Sequence, residues 1–206
     1  MKATLVSFLL MVFYVLTYGQ LETNMDREFI YEGRQYVPNS PWFTIGFGPG
    51  YNFNEKGLEP HFNLDAHFRV YKKHYLAFGF LTSRDQFFDS DTGLFLPFSR
   101  NPHGMKSTHL TYGLRIEKLH ANYSLFAGPS ANWGYDYLYT DSLGRDWSQK
   151  FFEPGIYLAL QATWKFYFDM GLGTTLWASY SKSYPVFGLS VHWYLSTAFK
   201  RQVINL

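Results

Sequence analysis

HFNLDAHFRVY (61–71) decides the fold. Phe62, Leu64, Ala66, Phe68 and Val70 fall on one side, and His61, Asn63, Asp65, His67 and Arg69 on the other. A period of two belongs to a strand, because successive side chains leave an extended backbone on opposite faces. FTIGFGPGYNF (43–53), LTYGLRIEKL (110–119) and FYFDMGLGTTLW (166–177) alternate in the same way.

Working outward, eight strands are predicted at about 42–53, 60–71, 74–84, 108–118, 120–132, 151–163, 166–178 and 185–198. Each is near the length that a tilted strand needs to cross a bilayer. Their links alternate. Lys72–Lys73, Leu119–His120 and Trp164–Lys165 leave room only for hairpin turns. The links at 85–107 and 133–150 are long, and NEKGLE (54–59) and SYSKSY (179–184) are intermediate. Short turns on one side and longer loops on the other form the connectivity of an up-and-down transmembrane barrel. The expected fold is therefore all-β, an eight-stranded antiparallel up-and-down transmembrane β-barrel.

The N-terminus agrees with export. MKATLVSFLLMVFYVLTYGQ (1–20) has a basic start at Lys2, an apolar core from Leu5 to Leu16, and small residues Thr17 and Gly19 before a cut at Gln20. The run is shorter than the roughly 20 apolar residues of a spanning helix and has no basic flank behind it. The expected division is a signal peptide at 1–19, a periplasmic lead-in segment at 20–41 and a barrel domain at 42–206. The lead-in is polar, with two prolines near its end, and is expected to pack against one mouth of the barrel.

Composition narrows the classes. The chain of 206 residues has no cysteine, which excludes a disulfide scaffold, a thiolate metal site and a cysteine nucleophile. The formal charge of +2 is spread without a basic stripe, so nucleic acid is not an expected partner. Aromatic residues make up 21% of the chain, as 21 Phe, 17 Tyr and 6 Trp. A membrane barrel uses such rings on its lipid face and in two interfacial girdles. Trp42, Trp164 and Trp193 are assigned to one girdle, and Trp133, Trp177, Tyr180 and Tyr184 to the other.

Two barrels produce this alternation. In a soluble lipocalin-like barrel the apolar phase points inward; in a membrane barrel it meets lipid. The polar phase separates them. A water-facing surface is dense in Lys and Glu, whereas this phase mixes Asn63, Asp65, His109, Arg115, Glu117, Gln161, Ser190 and His192 with Gly, Ala and Thr. Small residues among polar ones suit the crowded interior of eight strands. The membrane barrel is the expectation, with the soluble small-ligand barrel as its alternative.

The chain resembles the small eight-stranded bacterial outer-membrane barrel family, in the form common in Bacteroidetes. The resemblance rests on SFLLMVFYVLTYGQ (7–20), GFGPGYNF (46–53), LFAGPSANWGYDY (125–137) and PGIYLALQATWKFYF (154–168). It covers essentially all of the mature chain, but its motifs are architectural and do not specify an activity. It implies a cell outer membrane location after signal cleavage, with outer-membrane lipid and the barrel-assembly machinery as partners. Many such families end in an aromatic residue that the assembly machinery is thought to read. Here seven residues follow Phe199, and Phe199 is the candidate for that part.

No residue is assigned as catalytic, cofactor-binding or metal-binding, and no cofactor is expected. His67, Asp169 and His192 read as part of an interior ion-pair and hydrogen-bond network in preference to a metal set, because buried charges must be paired. Arg69 and Arg115 are expected to face the acids Glu117 and Asp169 in a polar plug of the periplasmic half. Some members of the family act on lipid, but the lipid-facing phase carries no His or acid, and Ser190 and His192 share the lumen face. GFGPG lacks the GxxxxGK[ST] pattern and a following helix, so it reads as a bend in the strand. DSDTG (89–93) lacks the twelve-position calcium pattern with its closing Glu.

The expected role is structural or surface-binding, through loops 85–107 and 133–150, by a monomer and without catalysis. The alternatives are an outer-membrane lipid-modifying enzyme and the soluble lipocalin-like barrel. Loop 85–107 carries the apolar patch Leu94 to Phe98. In loop 133–150, Tyr135, Tyr137 and Tyr139 alternate, which favours a hairpin extending the walls above the membrane.

Overall fold

The computed structural model describes residues 28–54, 56–83, 104–143, 146–167 and 169–200. The signal segment, DSDTG and the Leu94–Phe98 patch lie outside the described residues.

The chain opens with two short strands, β1 (Phe29–Tyr31) and β2 (Arg34–Tyr36). Eight barrel strands follow: β3 (Trp42–Asn52), β4 (Gly57–Tyr71), β5 (His74–Ser83), β6 (Met105–Glu117), β7 (Ala121–Thr140), β8 (Asp146–Tyr167), β9 (Met170–Tyr180) and β10 (Val186–Ser196). A last short strand, β11 (Phe199–Lys200), ends the described chain. The barrel strands pair antiparallel, each with its neighbour in sequence, and β10 closes the ring onto β3. Closure leaves the ring itself without a first or last strand, so the backbone groups of the wall find partners without water.

The face assignment holds along the barrel strands, with Arg69 and Asp169 as exceptions. Phe43, Ile45, Leu64, Phe68, Leu110, Leu114, Leu158, Leu160, Leu189 and Val191 point outward and are exposed, while Asn63, Asp65, His109, Arg115, Gln161, Ser190 and His192 point inward and are buried. The apolar surface is therefore outside. This overturns the soluble lipocalin-like alternative, which needs the opposite packing.

Two placements differ from expectation. The turn expected at Trp164–Lys165 lies further on, between Tyr167 and Met170, with Asp169 in it. Lys165 is thereby returned to the lumen phase of β8. Glu59, expected in a loop, lies on β4 and is buried. The link 133–150 is mostly strand, as the alternation of its tyrosines favoured, and β7 and β8 pair as far as Thr140↔Asp146.

The girdle assignment is corrected in part. Trp164 and Trp193 are exposed, and both lie within ring contact of Phe166. Trp42, Trp177 and Tyr184 are buried inside instead. An indole can face inward here because the lumen supplies partners: Trp177 Nε1 donates to Ser190 Oγ at 2.8 Å, and Trp42 stacks on His67.

GFGPG does not shift the register as a bulge would. β10 pairs Gly188 with Gly50 and Val191 with Phe47, leaving Gly48 and Pro49 out of an otherwise continuous ladder. FAGPS repeats the device: β6 pairs His109 with Ser130 and Tyr112 with Ala127, leaving out Gly128 and Pro129. Proline has no N–H to give. The preceding glycine lets the backbones close up: a Cβ on Gly48 would run into the Leu189 carbonyl, and one on Gly128 into that of Leu110.

Candidate functional site

The lumen is filled by side chains in three tiers. At the outer end, Glu59 accepts bonds from the Ser83 hydroxyl, from Tyr184 OH at 2.5 Å and from Asn52 Nδ2 at 3.1 Å. The middle tier is built on Asp65. Its carboxylate meets His109 Nε2 at 2.7 Å and accepts from Asn63 Nδ2 at 3.1 Å. The His109 ring stacks on Tyr157 with centroids 3.8 Å apart. Beside this tier, His192 is held between Thr163 Oγ1 at 2.9 Å and Thr175 Oγ1 at 2.8 Å.

The tier at the short-turn end, periplasmic in the expected orientation, is the most charged. Arg115 Nη2 donates to Glu117 Oε1 at 3.0 Å and to Tyr194 OH at 2.8 Å, and its guanidinium lies 3.8 Å from the Trp42 ring centroid. Lys165 Nζ reaches the same Glu117 oxygen at 3.3 Å. Two cations thus share one carboxylate, all three buried. This is the interior network expected around Arg115 and Glu117, with Lys165 as a member that sequence reasoning missed. Had the turn been centred on Asp169, Lys165 would have fallen in phase with Gln161 and Thr163.

The lead-in completes this tier. β1, β2 and β11 form a small sheet, from which Tyr36 reaches Glu117 with its hydroxyl. Lys165 Nζ donates to that hydroxyl at 3.0 Å. Asn39 N donates to Glu117 Oε2 at 2.6 Å, and Tyr75 OH donates to Asn39 Oδ1 at 2.9 Å. Burial first, with Glu117 alongside, pushes the Tyr36 phenol well above the ordinary tyrosine value. Phe199 does not stand in the barrel wall. It belongs to β11 and packs on Tyr36 with ring centroids 4.9 Å apart.

Two residues expected in the plug are elsewhere. Arg69 is exposed and donates from Nε to the Lys72 carbonyl at 3.0 Å. It lies beside the β4–β5 turn, where the register shifts between Arg69 and Tyr71. Asp169 sits in the β8–β9 turn, where it accepts from Ser196 Oγ at 2.8 Å and from Phe199 N at 3.0 Å. It therefore does not converge with His67 and His192. Among the described residues, no group of three His, Asp or Glu side chains is placed to hold a metal ion.

Ser190 and His192, which share the lumen face, are each bonded to other partners: Ser190 accepts from Trp177, while His192 is bonded to two threonines. Ser83 and His61 are partners across β4 and β5. The His61 ring, however, lies under Gly50 on β3 and 4.7 Å from Trp177, and Ser83 bonds to Glu59 and Tyr184.

The outer side carries one feature of different character. β6 accompanies β7 only to Gly134, and β9 accompanies β8 only to Ile156. Beyond Tyr135, whose N–H bonds to Gly104 O at 3.1 Å, β7 and β8 pair only with each other among the described residues. Five residues of strand carry this hairpin about 17 Å past the wall. At its tip Tyr139 and Trp147 stack at 6.1 Å, Trp147 Nε1 donates to Asp141 Oδ2 at 3.3 Å, and Leu143 N donates to Asp141 Oδ1 at 2.9 Å. Leu138 and Leu143 are exposed beside them. At the base, Ser183 donates to Glu153 from Oγ at 2.6 Å and from N at 2.9 Å.

A polar, packed lumen inside an apolar ring defines the class: this is the architecture of an eight-stranded outer-membrane barrel. Solved structures of the same shape include the N-terminal β-barrel domain of Pseudomonas aeruginosa OprF, at 12% identity and a TM-score of 0.50, over 76% of this chain and 98% of that one. Neisserial surface protein A is similar at 10% identity and a TM-score of 0.52, over 76% of this chain and 95% of that one. At such identities the likeness is one of fold. No family model and no curated protein matches the chain.

Proposed function

We propose that the chain is an integral protein of the cell outer membrane, of the form common in Bacteroidetes, and that it serves as a monomeric, non-catalytic surface element. The outward-facing apolar ring supports the location, since hydrocarbon is the solvent such a surface requires. Outer-membrane lipid would then surround it, and the barrel-assembly machinery would insert it. The observation that carries the surface role is the β7–β8 hairpin. It is braced at its base by Glu153 and Ser183 and ends in a stacked, exposed aromatic tip. Aromatic rings beside adaptable polar groups suit recognition, because they offer contact area at low entropy cost. Loop 85–107 is proposed as the second contributor to this outer face.

Membrane fractionation tests the location. The mature protein is expected to stay in the outer-membrane pellet through a carbonate wash, and recovery in the soluble periplasmic fraction would refute the reading. An epitope inserted after Ser142 tests the orientation. Antibody is expected to reach it on intact cells, whereas the same epitope in the Lys72–Lys73 turn is expected to stain only after permeabilisation. The reverse pattern would turn the barrel over and leave the hairpin in the periplasm.

A further inference from the structure

On the outside of the wall, where β3 meets β4, lies a trough of about 530 Å³ bounded by Phe47, Pro49, Leu58 and Pro60. Pro49 and Pro60 are direct partners across the two strands. The β3–β4 ladder runs through this pair without a break. On the other flank Gly48 and Pro49 have already left the β10 ladder. The two short rings form the floor, and Phe47 and Leu58, which are 57% and 77% exposed, stand up as rims. The volume falls within the range of small-molecule sites.

We infer that the trough binds one acyl chain of an anionic, phosphate-bearing lipid of the outer leaflet, with the headgroup at Lys56. The inference rests on the membrane reading above. The lining is hydrocarbon, and at this face hydrocarbon chains are the surrounding solvent. The trough's outer end leads into the β3–β4 link, where Lys56 is exposed and held in a left-handed turn with φ 53°. A cation in the link that joins the two lining strands complements a phosphate carried on a hydrocarbon chain. Pro129 and Pro154 also face outward, on β7 and β8, but they stand opposite Ile156 and Ala131 and not opposite a second proline.

The cysteine-free chain accepts a single reporter. Leu58→Cys, or Ile156→Cys on the opposite side of the ring, is labelled with bimane and reconstituted in phosphatidylcholine vesicles. An increasing share of phosphatidylglycerol with brominated chains then quenches the label. Half-quenching at Leu58→Cys is expected at a share of brominated lipid about fivefold lower than at Ile156→Cys, an advantage of the size one lysine gives at an anionic surface. Pro60→Leu, which fills the trough, and Lys56→Gln are each expected to remove that difference. Equal quenching at the two positions would overturn the site. Equal quenching at Leu58→Cys by brominated phosphatidylcholine would overturn the anionic assignment. Co-flotation with the vesicles is read separately, so failure to enter the membrane is distinguished from failure to bind lipid.

Discussion

Arg115→Leu is expected to destabilise the barrel by about 3–5 kcal/mol, the cost of removing one partner from a buried ion pair. The guanidinium touches Glu117, Tyr194 and the Trp42 ring at once. Leucine would keep part of the volume but remove the Arg115 bond to the Tyr194 hydroxyl and leave Glu117 with Lys165 as its remaining cation. Urea unfolding in lipid vesicles measures the loss. Because Lys165 shares the carboxylate, Arg115→Leu combined with Lys165→Leu is expected to be strongly non-additive. An unchanged folding free energy in the single variant would show that Arg115 contributes nothing net to the periplasmic tier.

Asp65→Leu is expected to be nearly as costly, for a different reason. Asp65 is the common acceptor of His109 Nε2 and Asn63 Nδ2, and all three residues are buried. Leucine strands both donors, and each unsatisfied buried group costs about 1–3 kcal/mol. The expected loss is therefore about 2–6 kcal/mol. His109→Leu in the same background is expected to restore part of it, since an apolar pair leaves fewer polar atoms to satisfy. A double variant no better than Asp65→Leu alone would show that the middle tier is held by packing, such as the His109–Tyr157 stack, and not by the carboxylate.

Both predictions act on residues whose orientation was legible in the sequence but whose partners were not. HFNLDAHFRVY placed Asp65 and His67 inside by its period alone, and LTYGLRIEKL did the same for Arg115 and Glu117. Pairing across the barrel depends on register. The error at the β8–β9 turn shows how much follows from a few residues. Centring that turn on Trp164–Lys165 made Lys165 a turn residue and Asp169 a lumen acid, whereas the observed turn reverses both roles. The same limit applied to the tryptophans. A ring near a strand end reads as a girdle residue, yet Trp42 falls on the inward phase, where His67 and Arg115 sandwich it.

The sequence by itself determined the number of barrel strands, the order of their pairing, the alternation of short and long links, and which phase is apolar. Those properties are local: they follow from a two-residue period and from the residues that interrupt it. The tertiary structure decided what is non-local. It put Tyr36 and Asn39 from the lead-in onto Glu117, 81 and 78 positions away in the chain. It set Pro49 against Pro60 to open a trough in the outer wall. It carried β7 and β8 past their neighbours into a hairpin with an aromatic tip. Each of these depends on ring closure, which fixes the register and stagger of all eight strands together and brings distant side chains into one lumen.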